Sequence, residues 1–113
     1  MFQAQLLLGT QSVYGPWMPR GGDLMSITLD LISTNATGTD KLTVEVFTKK
    51  KDDSGDGAVA TGTSIQTNTV GRSQTTYSAL NDLVRYKFTP GGAVSVNYLF
   101  RMLSPVFFDT VKV

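Results

Sequence analysis

The chain has 113 residues, a formal net charge of +1, and neither His nor Cys. That length suits one domain over 1–113. The missing side chains exclude disulfides, thiolate metal sites and catalysis by an activated Cys or His. A charge of +1 is too small for the electrostatic footprint of a nucleic-acid or anionic-membrane binder.

A first strand is expected from Phe2 to Leu8. The segment lacks the basic start and long apolar run of a secretory signal, so synthesis in the producing cell's cytoplasm is expected. Next comes Tyr14-Gly15-Pro16-Trp17-Met18-Pro19-Arg20-Gly21-Gly22-Asp23, which holds the chain's single Trp. Aromatics and Arg in a stiff Pro/Gly loop make an interface anchor or a sugar-stacking platform. Alternatively, Trp17 and Met18 close one end of the core.

Met25, Ile27, Leu29 and Leu31 alternate with Ser26, Thr28 and Asp30, the period of a strand with one buried face. Leu42, Val44 and Val46 alternate with Thr43 and Glu45 in the same way. The turn-rich connector from Ser33 to Asp40 predicts a hairpin between these two strands. Within it, Asn35-Ala36-Thr37 matches a glycosylation sequon, read as chance without a signal peptide.

Lys49 to Gly57 is the most polar stretch. Asp52, Ser54, Asp56 and Gly57 match the opening of a calcium loop, but the closing position is Thr63, which has no carboxylate to offer. A solvated tip with Asp/Gly turn chemistry is the expectation, and no metal site or cofactor is assigned. Gly57 to Ser78 is rich in Thr, Ser and Gln and predicts one or two weak, edge-like strands. Tyr77 to Asp82 is read as a single helical turn.

Val84, Tyr86 and Phe88 alternate with Arg85 and Lys87, and stop at Pro90-Gly91-Gly92. Val94 to Met102 alternates again, which predicts a second hairpin. Leu99 and Leu103 fall on the nominal outer face of that strand, so a partner or a bulge must cover them. A last strand is expected from Val106 to Val113. Adjacent residues of a strand point to opposite faces, so one of Phe107 and Phe108 lies outside the core.

The expected fold is all-β: a single antiparallel β-sandwich, jelly-roll-like, of seven to eight short strands, with an immunoglobulin-like topology the alternative that chain order alone does not separate. Charged residues are only 17% of the chain, which suits a surface covered by neighbours. The sequence points to a binding or building module, and not to an enzyme.

Three segments carry a resemblance: Gly15 to Gly22 before an alternating strand, Leu42-Thr43-Val44-Glu45-Val46 leading into a Lys/Asp/Gly tip, and Leu83 to Thr89 before the last strands. Their order resembles small β-sandwich accessory proteins of tailed bacteriophages and related particles, over about residues 13–103. The resemblance implies a head decoration or minor capsid protein, present in many copies on a protein lattice of the virion. It implies no catalytic residue. Interface candidates are Tyr14, Trp17, Met18, Arg20, Leu99, Leu103, Phe107 and Phe108. A carbohydrate-binding module using Trp17, Tyr14 and Tyr77 is the rival reading, and a tail or connector subunit is a third.

Overall fold

The computed structural model describes residues 5–8 and 11–109, and all regular structure among them is β. Strands β1 (Gln5–Leu8), β2 (Val13–Tyr14), β3 (Met18–Pro19), β4 (Leu24–Thr34), β5 (Leu42–Lys49) and β6 (Ala58–Val59) come first. They are followed by β7 (Thr61–Gly62), β8 (Ile65–Thr67), β9 (Gly71–Ser78), β10 (Leu83–Pro90), β11 (Asn97–Met102) and β12 (Val106–Phe108). Every pairing is antiparallel.

The strands form two sheets. One runs β1-β11-β4-β9-β7, with β12 also on β4. The other runs β2-β10-β5-β6, with β3 on β10 and β8 on β5. Taking β2 with β3 and β6 with β8 as interrupted single strands leaves ten strands, more than the seven to eight expected.

The alternation in the sequence sets the core. Met25, Ile27, Leu29 and Leu31 on β4 face Leu42, Val44 and Val46 on β5, and all are buried. Tyr98, Phe100 and Met102 on β11 and Val84, Tyr86 and Phe88 on β10 complete the two inner faces. Phe88 and Phe100 meet across the sandwich with ring centroids 5.0 Å apart. One buried polar residue, Thr48, is held on both sides: its hydroxyl donates to the Leu83 carbonyl (2.9 Å) and accepts from the Asn81 amide (2.7 Å).

Both expected hairpins are corrected. β4 and β5 lie in different sheets, as do β10 and β11. Their connectors, 35–41 and 91–96, leave one sheet and drop to the other. Sheets pack about 10 Å apart, a distance that about three extended residues span. The crossing loops are tied to one another. Asn35 Nδ2 donates to the Ser95 carbonyl (3.0 Å), while its Oδ1 accepts from the Asn97 amide (2.9 Å). Asn68 Nδ2 donates to the Gly38 and Asp40 carbonyls.

Four strands, not one or two, fill the stretch from Gly57 to Ser78. β9 is a full member of its sheet, registered with β4 from Met25↔Tyr77 to Leu31↔Gly71. The helical turn expected over Tyr77–Asp82 is instead the end of β9 and a bend in which Ala79 takes a positive φ of 54°. The last strand stops at Phe108, and its expected continuation over 110–113 lies outside the described residues, as do positions 2–4 of the first strand.

The principal ladders are nested. β1 pairs with β11, β2 and β3 with β10, β4 with β9, and β5 with β6 and β8. The chain is thus one long two-stranded ribbon, folded over so that β4 also pairs with β11 and β5 with β10.

Candidate functional site

The outer face of the β2/β3–β10–β5–β6 sheet carries a cluster of aromatic and cationic side chains. It starts from an irregularity at Pro16. Gly15 donates to the Tyr86 carbonyl (2.9 Å), and the next registered pair is Met18↔Val84. Pro16 and Trp17 therefore stand together opposite the single residue Arg85, the two-against-one geometry of a β-bulge. Pro16 has no N–H to continue the ladder. The bulge leaves Trp17 half-buried above the sheet, while Met18 turns in and packs against the core.

Trp17 lies over the sheet's own cations. The Arg85 guanidinium carbon is 4.4 Å from the Trp17 ring centroid and 4.1 Å from that of Tyr14. Lys49 Nζ is 4.6 Å from the Trp17 ring. Tyr14 meets Phe47 edge-on at 5.9 Å. Lys87 Nζ is 5.6 Å from Tyr14 and 5.5 Å from Phe47.

Arg85 is the centre of this stack. Its side chain is only 12% exposed, and its Nε has no hydrogen-bond partner among the described residues. Its Nη2 donates to Asp56 (3.3 Å), a carboxylate that is itself almost fully solvated. That pair contributes little in water, so the two rings hold Arg85 more than Asp56 does.

The register shows how the sequence builds the face. Arg85↔Phe47↔Val59 form one row across β10, β5 and β6, continued at one end by Trp17. Tyr14↔Lys87↔Glu45 form the row on one side, and Pro19↔Leu83↔Lys49 the row on the other. Gly57 closes the Lys49 end. Its φ is +77°, and a Cβ there would lie 2.5 Å from the Thr48 carbonyl oxygen and 3.1 Å from Trp17 Cη2. Only glycine lets the tip of residues 50–57 pass beneath the Trp17 ring.

The other candidates from the sequence are spread over the molecule. Arg20 is spent internally: its Nη1 donates to the Leu80 carbonyl (2.9 Å) and its amide to the Asp82 carbonyl (3.1 Å). Leu99 is half-buried on the opposite sheet, registered with Leu6 and Ser33 next to a bulge in the β4–β11 ladder. The bulge does not turn Leu99 inward, because Tyr98 and Phe100 on either side keep the inner positions. Leu103 is half-buried beyond the end of β11, its amide bonded to the Thr28 carbonyl (3.0 Å). Phe107 packs against the core and Phe108 is exposed. Of the eight candidates, only Tyr14 and Trp17 belong to the stack.

The residues that sequence reasoning missed are Phe47, Arg85 and Lys87; it placed Lys49 only in the basic run that opens the solvated tip. One signal was available. Phe47 sits in the polar phase of its strand, with Thr43, Glu45 and Lys49, while Leu42, Val44 and Val46 hold the inner phase. An aromatic out of phase on a strand marks an apolar patch on the wrong face.

Two further expectations concern ligands. Tyr77, the third sugar-stacking candidate, is fully buried and unavailable. The Asp52–Gly57 tip holds no group of three or more metal-ligating side chains among the described residues. Asp56 faces Arg85 instead.

Three tyrosine hydroxyls are shifted upward. Burial pushes Tyr77 up to about 12, aided by the charge of Glu45 and opposed by the Val46 backbone. Tyr86 is raised above the ordinary phenol range by burial. Tyr98 is raised by burial, against its hydrogen bond to the Gly91 carbonyl (2.8 Å) and with the charge of Asp40. All three are core groups and none faces the stack.

The fold is therefore an antiparallel β-sandwich with an aromatic–cation stack on one outer face. Comparison with known proteins adds no relative: no family model, no curated protein and no solved structure matches the chain.

Proposed function

We propose that this chain is a non-enzymatic structural protein of a virion, docking in many copies on a repeated protein lattice as a decoration or minor capsid subunit. In this reading it is made in the host cytoplasm and carried on the particle. The observation that carries the proposal is the row Trp17–Arg85–Phe47–Val59 with Tyr14 beside it. Trp, Tyr and Arg are the residue types that dominate binding energy at protein interfaces. Here they are fixed in advance by bulge, stack and strand, so ordering costs little on association. Lys49, Lys87, Glu45 and Asp56 ring the row as a polar rim.

The nested ladders support the same reading. We infer that they are a jelly roll, since one ribbon folded over on itself gives the two interleaved Greek keys of that architecture. Viral capsid and lectin domains both use it.

The lectin-like alternative is a carbohydrate-binding module stacking a sugar on Trp17 and Tyr14. Two observations weigh against it. The Trp17 ring already carries Lys49 and Arg85, and Tyr77 is buried.

Trp17→Ala separates the readings. Loss of two cation–π contacts at a half-exposed site costs about 1–2 kcal/mol of fold stability. A hot-spot aromatic costs about 2 kcal/mol or more in binding, roughly thirty-fold in affinity. The expected result is a variant that melts as a folded protein but leaves the sedimenting particle fraction. Retained particle association would overturn the proposal. Loss of glycan-array binding with particle association intact would establish the carbohydrate module.

A further inference from the structure

We infer that the stacked face recognises an extended acidic strand of its protein partner, with two carboxylates four residues apart flanking one apolar side chain. This rests on the docking reading above and names the chemistry of the partner.

The geometry comes from the ladder. Lys49 stands opposite Leu83, and Lys87 is four residues further along β10. Alternate residues of a strand are about 6.8 Å apart, so the two ammonium groups are rooted about 14 Å apart along the strand direction. An extended partner lying along the face presents its residues i and i+4 at the same spacing. Its residue i+2 then falls midway, over Arg85, Phe47 and Val59. Val59 is 50% exposed and Phe47 is half-buried, so an apolar side chain has a surface to cover there.

The charges agree with this arrangement. Neither Lys49 nor Lys87 has a carboxylate within ion-pair distance among the described residues. Lys49 Nζ reaches only the Gly55 carbonyl, at 3.5 Å. Two acids border the row. Asp56 is engaged by Arg85, and Glu45 stands across from Lys87 without closing on it. Both ammonium groups rest against aromatic rings.

The occupied rings favour a peptide over the other anionic polymers. Single-stranded nucleic acid and sugars gain most of their contact by stacking on open aromatic faces. Here Tyr14 and Trp17 share Arg85 between them, and Lys49 and Lys87 lie over the same rings. A carboxylate needs only the ammonium groups.

Trp17 is the chain's single Trp, so its emission reports directly on the face. The probe is the synthetic peptide Ser-Glu-Thr-Leu-Thr-Glu-Ser, blocked at both ends, with Gln in place of both Glu as its control. The Glu peptide should give a saturable change in Trp17 emission that weakens with added salt. The Gln peptide should bind about tenfold more weakly, the scale of two rim charge pairs. The double variant Lys49→Gln with Lys87→Gln, shown by melting to be folded, should lose the same factor for the Glu peptide.

Equal binding of the two peptides overturns the inference, as does no emission change up to the peptide's solubility limit. A larger response to oligothymidylate or to a neutral oligosaccharide overturns it in favour of those polymers. Particle sedimentation separates this inference from the docking reading beneath it. A double-lysine variant that still sediments, when Trp17→Ala does not, rejects the acidic strand and leaves docking intact. Sedimentation of both variants rejects docking through this face.

Discussion

Removing the Arg85 side chain is the most direct test of what organises the outer face. Arg85→Ala deletes two cation–π contacts, at 4.1 and 4.4 Å, from a side chain that is only 12% exposed. Each contact contributes about 1 kcal/mol in a partly desolvated setting. The two lost methylenes add about 1 kcal/mol of buried stem, and relief of the unpartnered Nε returns part of this. The expected cost is about 2–3 kcal/mol, roughly 10 °C in Tm for a domain of this size. Asp56→Ala breaks only a solvated ion pair and should cost about 0.5 kcal/mol or less. Arg85→Lys keeps the charge and most of the stem, loses the planar stack, and should fall between the two. Urea unfolding followed by circular dichroism gives all three values, and Trp17 emission in the folded state should shift with Arg85→Ala. If Asp56→Ala costs as much as Arg85→Ala, the ion pair and not the ring stack holds the face, and the reasoning fails.

Three other outcomes follow from the packing. Gly57→Ala forces a Cβ to within 2.5 Å of a backbone carbonyl at a positive φ, and should cost about 2–3 kcal/mol and expose the amides of 50–57 to hydrogen exchange. Gly55→Ala, where a Cβ meets nothing within 4 Å, should change neither stability nor exchange. Phe100→Ala empties the inter-sheet contact with Phe88 and should cost about 3–5 kcal/mol by chemical denaturation, whereas Phe100→Leu should cost about 1 kcal/mol. Stability should hold steady up to about pH 10 and fall above it. An unfolded tyrosine ionises near 10, while Tyr77 holds its proton to about 12, so in that window the unfolded chain loses protons first. Tyrosinate absorbance should therefore rise together with loss of the near-ultraviolet dichroism.

Strand positions were legible in the sequence, and strand partners were not. Period-2 alternation places Leu29 and Val44 on buried faces, because facing the core is a property of one strand alone. Whether β4 turns back on β5 or crosses to the other sheet depends on a 35–41 loop whose side chains bond to other loops. No local pattern encodes that choice. β9 was underrated, as one of the weak, edge-like strands expected over Gly57–Ser78, for a related reason. Its inward residues before Tyr77 are Gly71, Ser73 and Thr75, small or polar groups with no apolar signal, and β4 supplies the bulk opposite them. Of the stack, the sequence displayed the aromatic loop at Tyr14 and Trp17. It concealed Arg85 and Lys87 as the ordinary solvent-facing half of an alternating strand. The bulge at Pro16–Trp17 is what brings the two together.

The nested ladders also set an order of events during synthesis. The innermost pairing, β5 with β6 and β8, joins residues 42–48 to 58–67 and can form as soon as that stretch leaves the ribosome. β4 must wait for β9, and β2 and β3 for β10. β1, the first of the described strands in chain order, finds no ladder until Asn97 to Phe100 have emerged. Closing so long a loop is slow, and until then the waiting strands keep open edges. The pairing thus favours assembly from the middle of these strands outward, with β1, though it precedes the other described strands, among the last to be enclosed.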